Sequence, residues 1–266
     1  MTRFASAICL IVVLFSGFWP ENLSAKNRDL PTLPTLNIVA DPSLMVPLTR
    51  IVRNYTVQHN QPIITSFSAS RELTAHIASG MEADLFISNR TKYLNDLKAR
   101  GLVDVYSQTP ITRNRLVVAT AKDNPIELIL IRNLPIANIL LEQHPNFSFA
   151  LGDPEFLSVG SYSLEALRNF GLDGDLEPYF ILLQSQSDLL HAITSEHNYG
   201  ILFQSDVVMN DHIRKLDVFP ENTHKPISYQ AVVVAGERME EARKFIQYLT
   251  SNEAQAVFKK LGFEAP

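Results

Sequence analysis

Serines recur where short apolar runs give way to helical periodicity. Ser43 follows Leu36–Ala40, and Ser70 follows Pro62–Phe67. Ser158-Val159-Gly160-Ser161 follows Phe147–Leu151, and Ser185, Ser187 and Asp188 follow Tyr179–Leu183. A helix start has backbone N–H groups that its own ladder cannot use, together with roughly half a positive charge. Several such starts, each carrying a small hydroxyl and aimed into one cleft, would bind an anion without a lysine-rich pocket. Serine is also a favoured helix cap, so each residue taken singly has a purely structural reading.

Other chemistries find little support. His59, His76, His144, His191, His197, His212 and His224 are scattered, with no His-x3-His or Cys pair to found a metal site. No nucleophile elbow, phosphate loop or dinucleotide fingerprint occurs. Asp153 and Glu155 form a close carboxylate pair, but Gly152-Asp153-Pro154 reads as a turn leaving a strand. The aromatic residues fall at core spacing and form no stacking platform for bases.

The elements that position the serines alternate strand and helix, which implies largely parallel sheets. Strands are expected at Leu36–Ala40, Pro62–Phe67, Ala83–Ser88, Arg115–Thr120, Phe147–Leu151, Tyr179–Leu183, Gly200–Phe203 and Ile227–Ala235. Helices are expected from Ser43 through Tyr55, and over Ser70–Ser79, Lys92–Arg100, Ser161–Phe170 and Asp188–Ser195. Two more, near Met239–Leu249 and Glu253–Leu261, end at Gly262 and should pack back on the first lobe. The string fits two α/β lobes of ordinary domain size, with the strong β runs at 115–120 and 227–235 as crossings.

The chain has 266 residues, of which 46% are hydrophobic and 19% charged, with formal net charge −5. That balance describes a globular protein and makes a general nucleic-acid binder a poor fit. Residues 1–25 read as a secretory signal peptide: Arg3 gives the positive start, Phe4–Trp19 the apolar run, and Leu23-Ser24-Ala25 the cut. The apolar run is about 16 residues, short of the ~20 a spanning helix needs. The single cysteine, Cys9, lies within this segment, so the mature chain carries no thiol into an oxidising compartment. Residues 26–35 form a polar, proline-bearing leader.

Several blocks stand in a recognisable order. They include Ser43-Leu44, Ser66-Phe67-Ser68-Ala69-Ser70, Ala83-Asp84-Leu85-Phe86-Ile87-Ser88 and Arg115-Leu116-Val117-Val118-Ala119. Gly152-Asp153-Pro154-Glu155, Val159-Gly160, Gly200-Ile201-Leu202-Phe203-Gln204-Ser205-Asp206 and Phe219-Pro220-Glu221-Asn222 follow. Across nearly the whole mature chain the sequence resembles the periplasmic molybdate-binding proteins of ABC transporters, within the type II periplasmic binding proteins. The resemblance implies an α/β fold of two lobes, each a doubly wound mixed sheet with helices on both faces and a ligand cleft between them. Lobe I would take 36–113 and 228–266, and lobe II 114–227.

It further implies a monomeric periplasmic receptor, without cofactor or catalytic residues. Such a receptor holds molybdate or tungstate dehydrated between hydroxyls and N–H groups and delivers it to a membrane permease. Ser43 and Ser70 match the ligating serines; Val159 and Leu189 match backbone donors. Phe203 stands where the family commonly has a ligating Tyr, so one hydroxyl is missing. Arg71 replaces a small polar residue and could give a charge-assisted bond to an anion. Asp41-Pro42 replaces small residues, and a carboxylate there would repel an anion. A same-fold receptor or sensor for another anion or small acid, and a secreted enzyme, are the alternatives.

Overall fold

The computed structural model describes residues 33–130, 136–195 and 198–266. The signal segment 1–25, most of the leader and His197 lie outside the described residues. Two five-stranded mixed sheets organise the rest. In the first, β1 (Leu36–Ala40), β2 (Ile63–Phe67) and β3 (Leu85–Ser88) run parallel, in the order β2-β1-β3. Next to β3 lies β10 (Ser228–Val233), antiparallel both to β3 and to the edge strand β4 (Thr109–Arg113). The second sheet repeats the plan. Here β7 (Phe180–Leu183), β6 (Ser148–Gly152) and β8 (Asn198–Phe203) are parallel in that spatial order. Antiparallel β5 (Leu116–Ala121) follows, then edge strand β9 (Ile213–Val218).

Period-two patterning explains why the first sheet is covered on both faces. In β3, Leu85 and Ile87 join the cluster under α1 (Met45–His59) and α9 (Met239–Leu249), with Leu48, Ile51, Phe245 and Leu249. Phe86 points the other way, toward Leu73 and Ile77 of α2 (Ser70–Ala78) and Leu94 and Leu97 of α3 (Thr91–Ala99). Val39 and Val232 share the Phe86 face, while Ile38 and Ala231 share the other. The terminal helix α10 (Asn252–Lys260) meets α1, and Glu264 O accepts from Thr112 Oγ1 at 2.8 Å, so the C-terminus packs against α1 and the edge strand β4.

The second sheet carries α4 (Ile136–Gln143), α5 (Ser158–Phe170), α6 (Asp173–Leu176), α7 (Gln186–Thr194) and α8 (Gln204–Val208). Helix α5 ends at Gly171, whose φ of 82° is the left-handed conformation a helix C-terminus favours. The chain passes between the sheets at 114–115 and returns at 219–227, and Asn114 N donates to Ile227 O at 2.9 Å between those two links. The strong β runs are therefore strands within the sheets, and the links that precede them make the crossings.

Other elements differ from the periodicity reading. Strand β9 (IRKLDV) is half-exposed and charged, so it shows no apolar run. Strand β4 (TPITR) is hidden by its proline and polar ends. Helix α5 begins at Ser158, three residues earlier than expected, because Gly160 lies inside its first turn.

Candidate functional site

In a doubly wound sheet ligands gather where successive crossovers leave in opposite directions. That point lies between β1 and β3 in the first sheet and between β6 and β8 in the second. The segment after β1 carries Asp41 and Ser43, that after β3 carries Asn89 and Arg90, and that after β6 leads into Ser158.

These segments meet. Asn89 Nδ2 donates to Ser158 Oγ at 3.0 Å, Arg90 Nη1 to Ser161 Oγ at 2.5 Å, and the Tyr162 hydroxyl to Asn89 O at 2.6 Å. Asp41, Ser70, Arg71, Arg90, Glu155 and Ser158 border a shared cavity of about 10 Å³, room for roughly one water. Arg90 also borders a wider groove of about 660 Å³ that includes Lys92, Tyr162, Glu165 and Lys225.

Asp41 is 2% exposed and caps a single 3-10 turn, Pro42–Leu44. Its Oδ1 accepts from Ser43 N at 3.1 Å and Ser43 Oγ at 2.6 Å. Burial pushes its carboxyl above the usual carboxylate range, opposed by the Ser43 bonds, the Ser158 hydroxyl and the Arg90 charge. Ser43 Oγ lies 2.7 Å from the Tyr229 hydroxyl. Tyr229 is fully buried, and burial raises its hydroxyl well above the ordinary tyrosine value, the Asp41 charge adding to this.

Ser70 is buried at the first position of α2, where Ala69 is the cap, so its hydroxyl does not cap the helix. Instead Ser70 Oγ lies 2.8 Å from Ser88 Oγ, which accepts from Arg90 N at 2.9 Å. Arg71 faces Glu155 across the lobes at 3.6 Å, with both side chains more than half exposed. At that exposure the pair contributes little.

Val159, second in α5, has an N–H that its own helix cannot use. Leu189 is placed differently: its N–H donates to Ser185 O at 3.1 Å inside α7, so the expected backbone donor is engaged. Phe203 is buried at the end of β8 with its ring 6.2 Å from that of Tyr162, and neither Phe203 nor Leu189 borders the small cavity. The structure thus gathers Ser70 and Arg71 with Ser158 at the start of α5, while Ser43 joins the cavity only through its bond to Asp41 and Val159 does not border it. It adds Arg90, Ser88 and Asn89, which sequence reasoning passed over. Their signal was the one already used for the serines, since Ser88 ends a buried strand and Asn89 and Arg90 lie between it and α3.

The serine variants should separate. Ser70→Ala removes one buried bond, to Ser88 Oγ, but no cap, so the ligand-free melting temperature should fall less than in Ser43→Ala. If Ser70 Oγ donates to a bound anion, the lost bond to a charged oxygen costs about 1.5–3 kcal/mol, and calorimetry should show the affinity falling roughly ten- to a hundredfold. Ser43→Ala breaks the Tyr229–Ser43–Asp41 chain and should lower the melting point as well. Equal melting losses in both variants would assign them the same structural role.

Among the described residues no group of acidic, histidine or cysteine side chains could hold a metal ion, and no helix is long and apolar enough to cross a membrane. The family model for bacterial extracellular solute-binding proteins matches residues 36–264. The molybdate-binding protein ModA of Escherichia coli K12 is 28% identical over 229 residues, 86% of this chain and 88% of that protein. Its namesake in Haemophilus influenzae is 25% identical over 232 residues, covering 86% and 90%. The periplasmic molybdate-binding protein of Azotobacter vinelandii superposes with a TM-score of 0.71 at 18% identity, covering 87% of this chain and 99% of that one. The resemblance and the two-lobe α/β fold read from the sequence are both borne out.

Proposed function

Because the chain belongs to the bacterial extracellular solute-binding proteins, we propose that it is the receptor of an ABC transporter. It captures a tetrahedral oxyanion, molybdate or tungstate, and delivers it to the membrane permease. The observation that carries this reading is the convergence of donors from both sheets. Ser70, Arg90 and the first turn of α5 surround one cavity, with Ser43 joined to it through Asp41. Hydroxyls, N–H groups and one guanidinium can surround oxyanion oxygens without water.

On this reading the lobes are 36–113 with 228–266, and 114–227. Ser43, Ser70 and the Val159 N–H contact the ligand, and Arg71 guards the rim through Glu155. The cavity of about 10 Å³ admits a four-oxygen anion only when the lobes part. The paired links at 114–115 and 219–227 are the natural hinge. Arg90, Lys92 and Lys225 along the wider groove draw anions toward the opening. The signal segment sends the chain to the periplasm, where it acts as a monomeric carrier and not as a catalyst.

The test is a thermal-shift and calorimetric panel on the mature protein with molybdate, tungstate, sulfate and phosphate. Ligand at a hundred times its dissociation constant stabilises by about 2.7 kcal/mol. That corresponds to roughly 5–10 °C for a chain of this size. Molybdate and tungstate should compete, and smaller sulfate should shift less. A flat response to the whole panel would sink the oxyanion reading and leave the fold untouched.

A further inference from the structure

One group in this cage accepts where an anion also accepts. The Asp41 carboxylate is buried and takes both the N–H and the hydroxyl of Ser43. A serine hydroxyl has one proton, and here it is spent on Asp41. The 2.7 Å contact with the Tyr229 hydroxyl must then be donated by Tyr229, so a chain runs from Tyr229 through Ser43 to Asp41. A bound oxyanion needs these same donors, and it meets the Asp41 carboxylate at the same place.

We propose that Asp41 sets the charge preference of the oxyanion site, discriminating against tetrahedral dianions relative to monoanions of the same shape. This rests on the oxyanion reading of the site. The carboxylate competes with the ligand for the Ser43 donors, and it repels the ligand in proportion to ligand charge. The groups facing it decide how much of that repulsion survives. Arg90, from the segment after β3, is the cation that acts on Asp41 directly. Arg71 borders the same cavity but faces Glu155, which returns a negative charge to the rim. Tyr229 and Tyr162 stand near as neutral hydroxyls, and Asp206 adds no positive charge. Arg90 offsets the Asp41 carboxylate and Arg71 faces Glu155 at the rim, so the two guanidiniums and two carboxylates that border the cavity leave a dianion no net positive charge to meet.

Molybdate and perrhenate separate charge from shape, since both are tetrahedral four-oxygen anions and they differ by one charge. Asp41→Asn keeps an oxygen to accept from Ser43 N, removes the charge and adds a neutral donor. If it tightens perrhenate about tenfold, a repulsion linear in ligand charge predicts about a hundredfold for molybdate. Asp41→Ala is the second variant. It loses the cap and should melt lower, yet it should give the same order of gains. Calorimetry with both anions on the three proteins reads this directly. Equal gains for the two anions, or no gain for molybdate, overturn the proposal while leaving the receptor reading intact. Binding of neither anion by any of the three proteins overturns the receptor reading, and the charge preference with it.

Discussion

Gly160→Ala should destabilise the protein by about 3 kcal/mol or more, near the upper end of what overpacking costs. In an ordinary helix interior the same change gains close to 1 kcal/mol. The sign reverses here because of what lies beside the residue. A Cβ on Gly160 would stand 1.9 Å from Gly152 O, 2.6 Å from Gly152 C and 3.0 Å from Pro154 N. All three are backbone atoms, so no side chain can rotate away. The first turn of α5 would have to lift off the end of β6, taking Ser158 and Val159 with it. Oxyanion affinity should therefore fall together with stability. Gly174→Ala is the control, because a Cβ there meets nothing within 4 Å. Urea unfolding of the two variants decides the matter, and a Gly160→Ala protein as stable as the parent would refute the close packing of α5 on β6.

The same contact shows what the sequence reveals and what it conceals. Buried parallel strands such as LNIVA and LFIS announce themselves because both faces are covered and all positions but one in each, Asn37 and Ser88, are apolar. The serines at Ser43 and Ser70 were found by the rule that strands hand over to helices at a ligand site. Their partners were not, because partnership is a long-range fact. That Ser70 bonds Ser88, or that Arg90 reaches Ser161 on the other lobe, depends on how two sheets face each other. Local pattern also leaves Ser70 readable as a cap, which it is not, and starts α5 too late. Serine is common at caps, and a glycine such as Gly160 reads as a breaker until its neighbour is seen. The charged edge strand β9 shows the opposite failure, since most of its residues are only partly buried and its alternation is too weak to register. Asp41 was legible as a departure from the family pattern, but its bonds to Ser43 were not.

Stability should fall as the pH rises from about 4 to about 7, and Asp206→Asn should remove most of that slope. Asp206 is 5% exposed, and its Oδ2 accepts from Phe203 N at 3.2 Å where β8 hands over to α8. Burial is the largest influence on it and pushes its carboxyl from 3.8 up to about 7; the Phe203 N–H opposes the shift, and the Asp41 charge adds to it. The folded protein therefore holds this proton over a range in which the unfolded chain has already released it. Between those two values the folded state binds more protons than the unfolded state, so stability declines with rising pH. Below about 4 both states are protonated and the contribution is fully present; above about 7 it is gone. Roughly three pKa units at about 1.4 kcal/mol each set an upper bound near 4 kcal/mol. Asparagine keeps an oxygen for the Phe203 N–H and carries no charge at any pH. The variant should therefore match the parent near pH 4 and exceed it at pH 8. Asp41, also raised by burial, contributes a slope of the same sign in both proteins, so the variant keeps a residual decline with rising pH. Chemical denaturation across this pH range measures the difference directly. A parent and variant that run parallel from pH 4 to pH 8 would mean that Asp206 is ionised in the folded protein throughout, and that its surroundings stabilise the charge.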